Sequence, residues 1–108
     1  MAHDPTLIIY RNAGHEKELS YDQLQRERST ICNAYVGRDT NWRYGHITPF
    51  GLHLELQNAD STRAQITIEQ EHMDTMMDDL HACNLEELIG KELLAFYSRK
   101  RLVGVAVR

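Results

Sequence analysis

The chain has 108 residues, 42% hydrophobic and 26% charged, with a formal net charge of −4. That length fits one domain, residues 1–108, with one core, and the composition is that of a folded globular protein rather than a disordered one. The net acidity argues against nonspecific binding to nucleic acid, no apolar run reaches the ~20 residues of a membrane helix, and Met1-Ala2-His3-Asp4-Pro5 lacks the features of a signal peptide, so the expectation is a cytoplasmic protein with Cys32 and Cys83 as reduced thiols.

Thr6 to Tyr10, "TLIIY", reads as a short strand from its β-branched and aromatic content, and "NAGH" as a loop. "SYDQLQRER" opens with Ser20 and has Gln23 three residues on, as in a capping box, but its apolar positions are too few to separate a short helix from an exposed strand. "STICNAYVG" alternates and predicts a strand ending at Gly37. "RDTNWRYGHITPFG" is a loop or an irregular hairpin. The clearest strand runs from Phe50 to Leu56, with Phe50, Leu52, Leu54 and Leu56 on one face and His53 and Glu55 on the other. "NADST" then turns the chain into "RAQITIE", giving an antiparallel hairpin with one buried face.

Met73, Met76, Met77, Leu80 and Cys83 follow at helical spacing and predict an amphipathic helix that ends at Asn84. "NLEELIGK" predicts a second helix of one or two turns, with Asn84 as cap, Glu87 at the capping-box position and Gly90 as the stop. "ELLAFYS" and "RLVGVAVR" predict a hairpin around "SRKR". Its second strand shows little polar alternation and is expected to be central and covered on both faces, with Gly104 marking a bulge or a close backbone approach. The fold class is α+β: an antiparallel sheet of about five or six strands with one main amphipathic helix packed on one face.

"NAYVGRDTNWRYGHIT…LHLEL" followed by "NLEELIGKELLAFYSRKRLVGVAV" resembles a set of small phage and prophage proteins that carry "LGxEDHGIxT" before a strand and "WEDLKGKxVRV…GRIVxIGH" near the end. The matching positions lie within residues 31–107: Gly37, Asp39, Gly45, His46, Ile47 and Thr48, then Leu85, Glu86, Glu87, Leu88, Gly90, Lys91, Arg101, Val103 and Gly104. Here Asp39 and His46 are separated by an insertion, and Asn84-Leu85 stands where the set has tryptophan. The resemblance implies a mobile-element origin, a place in the host cytoplasm, and action by binding host machinery.

Charge is segregated along the chain. Glu69, Glu71, Asp74, Asp78, Asp79, Glu86 and Glu87 occupy 69–90 without a Lys or Arg, whereas 91–108 holds Lys91, Arg99, Lys100, Arg101 and Arg108 against Glu92. The first run is read as the wet face of a core helix or as a surface for a cationic partner. It forgoes the i, i+4 ion pairs that solvated helices commonly use, and opposite potentials speed encounter. The leading expectation is therefore a non-enzymatic phage-type protein that binds a host protein with a basic surface, inhibiting a nucleic-acid-handling or defence complex. Its candidate contacts are Glu71, Asp74, Asp78, Asp79, Glu86 and Glu87, with Trp42 and Tyr44, residue types enriched at binding hot spots. Trp42 and Phe50 are equally read as plugs at the end of the sheet.

A second expectation is a nucleic-acid-binding accessory module using Arg43, Arg99, Lys100 and Arg101, with Trp42 stacking on unpaired bases. A third is a metal-dependent enzyme centred on Asp39, His46 and His53, although no HExxH or paired Cys/His spacing, nucleophile elbow or phosphate loop is present. The leading reading names no catalytic residue, metal or cofactor, and its exposed sheet edges make a homodimer an expectation to test.

Overall fold

The structure of the protein is a computed structural model and describes residues 8–13, 24–38, 40–41, 46–47 and 50–107. Its elements are β1 (Ile8–Arg11), β2 (Gln25–Gly37), β3 (Thr40–Asn41), β4 (His46–Ile47), β5 (Gly51–Asn58), β6 (Arg63–Glu69), α1 (Gln70–Asp79), a 3-10 turn (Glu86–Leu88), β7 (Glu92–Ser98) and β8 (Arg101–Val107). Among the described residues, six strands form one antiparallel sheet in the order β1-β8-β7-β2-β5-β6, and β3 and β4 form a small separate pair. The α+β class therefore holds, but the sheet is curled into a half-barrel and the helix is small.

Alternation dictates the core. Leu52, Leu54 and Leu56 on β5 and Ile66 and Ile68 on β6 share the concave face with Ile31, Ala95 and Val105. The expected hairpin of β5 and β6 pairs Leu54 with Ile66. β8 lies between β7 and β1 and is buried from Leu102 to Val107, and the ladder shifts between Phe96 and Tyr97, beside Gly104. The convex face carries a second, smaller cluster. Phe96, Val103 and Ala106 are buried there with Ile9, Leu24 and Leu94 against them, and the Arg26 guanidinium sits 5.5 Å from the centre of the Phe96 ring.

The two sides of the curl meet through Asn12. Its backbone N–H donates to the Val103 carbonyl on β8 (3.0 Å), and its side-chain amide donates to the Leu102 carbonyl (2.8 Å). Its side-chain oxygen accepts the Thr67 N–H of β6 (2.9 Å), while the Ala13 N–H donates to the Thr67 carbonyl (2.9 Å). One asparagine thus joins the outermost strand β6 to β8, where no continuous ladder does. Asn12→Ala leaves two backbone groups without these partners. It is expected to cost about 2 kcal/mol, read as a lower denaturation midpoint at unchanged slope, with faster exchange of the Thr67 amide proton.

Polar groups that face inward are paired as well. Ser29 donates its hydroxyl to the Asn58 side-chain oxygen, and the Asn58 amide donates to the Tyr97 hydroxyl (2.9 Å) and to Thr62 Oγ1 (3.1 Å). This network seals the end of the concave side next to the β5–β6 turn, and among the described residues no buried side-chain nitrogen or oxygen lacks a hydrogen-bond partner.

Two expectations about the helical segment are corrected. α1 stops at Asp79, not at Asn84, because His81 adopts a left-handed conformation (φ 56°). The Ala82 N–H then reaches the Met77 carbonyl and the His81 N–H reaches the Asp78 carbonyl, a Schellman closure made without glycine. The doubling back brings Ala82 and Leu88 into the core and leaves Cys83 exposed, off the apolar stripe. The second helix is a single 3-10 turn that starts after Leu85, and half of the predicted capping box forms: Asn84 Oδ1 accepts the Glu87 N–H (3.0 Å), whereas Glu87 Oε1 accepts the Cys83 N–H (2.8 Å) instead of that of Asn84. Gly90, the expected stop, has φ 92°. Of "SYDQLQRER", residues 20–23 lie outside the described residues, and its last part opens the long strand β2.

Candidate protein-binding surface

α1 starts where β6 ends, at the end of the sheet opposite the β5–β6 and β7–β8 turns. Its period of 3.6 turns Met76 (fully buried) and Leu80 (6% exposed) onto the concave core, with Met73 and Met77 packed beside them. The same period carries Glu71, Asp74 and Asp78 to the exposed side, and the 3-10 turn adds the exposed Glu86 and Glu87. Among the described residues, no Lys or Arg lies within salt-bridge distance of these five carboxylates. The contact they do make is Glu71 to His72, at 3.5 Å, an ion pair only when the imidazole is charged. Glu87 is held in place by the Cys83 N–H.

Asp79 departs from the expectation that all the acids of this run face water. It stands three residues after Met76, on the margin of the apolar stripe, and is half-buried. Its carboxylate accepts the hydroxyl of Tyr10 from β1. Burial first, and then the Asp79 carboxylate, hold the Tyr10 phenol well above its ordinary ionisation range. Asp79 therefore anchors the C-terminal end of α1 to β1 rather than joining the exposed carboxylates.

His53 was expected on a polar outer face, with Glu55 as a neighbouring ligand. It is fully buried instead. Nε2–H donates to the Gly37 carbonyl (2.7 Å), so in the neutral ring Nδ1 accepts the Thr67 hydroxyl (2.9 Å). The Tyr35 ring stacks on the imidazole with centroids 4.8 Å apart. Glu55 is paired with Arg63 at 2.9 Å and accepts the Cys32 thiol at 3.5 Å, and burial together with that carboxylate raises the Cys32 pKa. Among the described residues no three His, Cys, Asp or Glu side chains are placed to hold a metal ion. Asp39 and the side chain of His46 lie outside the described residues, as do Trp42, Arg43 and Tyr44.

Arg99, Lys100 and Arg101 are exposed at the β7–β8 turn, at the other end of the sheet from the start of α1. The structural anchors that sequence reasoning missed are Tyr10 and Asn12. A lone tyrosine and a loop asparagine carry no periodic signal, and their partners lie 69 and 90 positions away. No helix among the described residues is long and apolar enough to cross a membrane. Comparison with family models, with curated proteins and with solved structures finds no match to this chain.

Proposed function

We propose that the chain is a non-enzymatic protein of phage type that docks through Glu71, Asp74, Asp78, Glu86 and Glu87 onto a basic surface of a host protein. A cationic groove that otherwise holds nucleic acid is the partner surface that best matches such a field, which makes inhibition of a nucleic-acid-handling or defence complex the concrete version. The observation that carries this reading is that, among the described residues, five exposed carboxylates stand without a Lys or Arg partner: Glu71, Asp74 and Asp78 on a helix fixed from beneath by Met76 and Leu80, and Glu86 and Glu87 on the 3-10 turn that follows. Asp74 and Asp78 repel each other at i, i+4 by a few tenths of a kcal/mol, a cost that an approaching cation reverses. An exposed field of one sign acts chiefly on the rate of encounter and is screened by salt.

The test is charge reversal. Asp74→Lys with Asp78→Lys changes no buried contact, so the circular dichroism spectrum stays that of the wild type. Capture of a partner from host lysate at about 0.1 M salt is expected to fall at least tenfold. Equal capture by the reversed variant rejects the proposal.

A further inference from the structure

The β7–β8 turn carries a feature that packing does not explain. Ser98 pairs with Arg101, so Arg99 and Lys100 are the two central residues of a two-residue hairpin, and both have positive φ (50° and 67°). A turn of this kind favours Asn-Gly or Asp-Gly, because other side chains crowd the backbone in the left-handed region. Among the described residues neither gains a compensating contact. Both are exposed, as is Arg101, and none of the three lies within salt-bridge distance of a carboxylate among the described residues. The tip therefore keeps Arg99 and Lys100, beside a third cation at Arg101, in a conformation that a better turn sequence would relieve. An unrelieved backbone outlier of this sort points to use rather than to stability.

We infer that the β7–β8 tip docks on the phosphodiester backbone of single-stranded nucleic acid, with Arg99, Lys100 and Arg101 each neutralising a phosphate. Three residues span no more than about 10 Å. A run of three cations over that length matches the phosphates of one strand, whose salt-dependent binding needs only such contacts; entry into a duplex major groove, which also admits a two-stranded β-ribbon, is the outcome the duplex arm of the test detects. The tip also lacks the apolar residues that would enter a lipid surface: Tyr97 and Ser98 are half-buried and Leu102 is buried. Arg28, exposed on β2, shares the convex face with Arg101 through the register Arg28↔Leu94 and Ser98↔Arg101, and extends the cationic track away from the tip. This inference is independent of the acidic surface, which lies at the other end of the sheet.

The decisive variant separates use from stability. Arg99→Asn with Lys100→Gly installs the preferred turn, so its melting temperature is expected to rise by about 5 °C. The same variant should bind a 20-nucleotide oligothymidine at least tenfold more weakly in 50 mM salt. For the wild type, the logarithm of the binding constant should fall against the logarithm of salt concentration with a slope of about −2, and for the variant about −0.7. Arg101→Gln, which leaves both strained residues in place, should weaken binding severalfold without the gain in melting temperature. Three results overturn the inference: no oligothymidine binding by the wild type, equal binding by the relaxed-turn variant, or tighter binding to duplex DNA or to phosphatidylglycerol vesicles than to oligothymidine. Asp74→Lys with Asp78→Lys should not weaken oligothymidine binding, so failure here and failure of the acidic-surface reading are told apart.

Discussion

Gly51→Ala is expected to be the most damaging single-methyl change in the molecule, lowering stability by about 4 kcal/mol, with much of the product insoluble on expression. Gly51 opens β5 and pairs with Gly37 on one side and Glu69 on the other, so it sits at the crossing of two ladders. A Cβ at this position would overlap the Ile68 carbonyl oxygen, and that atom belongs to the backbone of β6. No rotamer change relieves the clash. The β5–β6 ladder must part where Leu52 pairs with Ile68, both of them buried in the core. Gly90→Ala is the control. Gly90 has φ 92° but nothing within 4 Å of its would-be Cβ, so its cost is conformational alone, about 1 kcal/mol. Urea denaturation of the two variants side by side separates the steric and conformational costs of adding the same methyl group. Equal midpoints would show that β6 yields to the side chain.

Met76→Ala is expected to cost about 3 kcal/mol, the middle of the range for emptying a buried methionine site. Met76 is fully buried and joins α1 to the concave leucines and isoleucines of β5 and β6. Met76→Leu, close in volume, should lose less than about 1.5 kcal/mol. Asp74→Ala, two residues earlier on the wet side, should change stability by no more than about 0.5 kcal/mol. That contrast is read from thermal or urea midpoints. A small effect of Met76→Ala would mean that α1 is held by the Tyr10–Asp79 bond and the Schellman turn rather than by its apolar stripe, and the acidic side would then lack a rigid platform.

Elements that announce themselves through local period were legible before any coordinates. β5 and β6 alternate over their full length, and the β7–β8 hairpin and the Asn84–Glu87 cap rest on neighbours in sequence. The 13 residues of β2 were only half legible. Gln25-Arg26-Glu27-Arg28 is polar on both faces, because its convex side is exposed and its concave side approaches the Ser29–Asn58–Tyr97 network instead of apolar side chains. Pairings of β1 with β8 and of β2 with β7 join distant segments and leave no local mark. In the acidic run, period separated Met76 and Leu80 from Asp74 and Asp78, but it misplaced Asp79. A residue on the border of a stripe is decided by what stands opposite, here the Tyr10 hydroxyl. His53 shows the same limit: alternation assigned its face correctly, and a paired Thr67, a stacked Tyr35 and the Gly37 carbonyl buried that face locally.

The joint made by Asn12 has a consequence for how the chain is born. Its two β8 acceptors lie about 90 positions downstream, so the first strand leaves the ribosome long before the strand that will receive it exists. The intervening hairpin of β5 and β6 can form during synthesis, whereas β1 must wait, with Ile8, Ile9 and Tyr10 uncovered, until translation has passed Val107. Such late, long-range registration slows folding relative to chains dominated by local contacts. A nascent chain stalled before β8 would carry an orphan strand, open to chaperones and proteases alike.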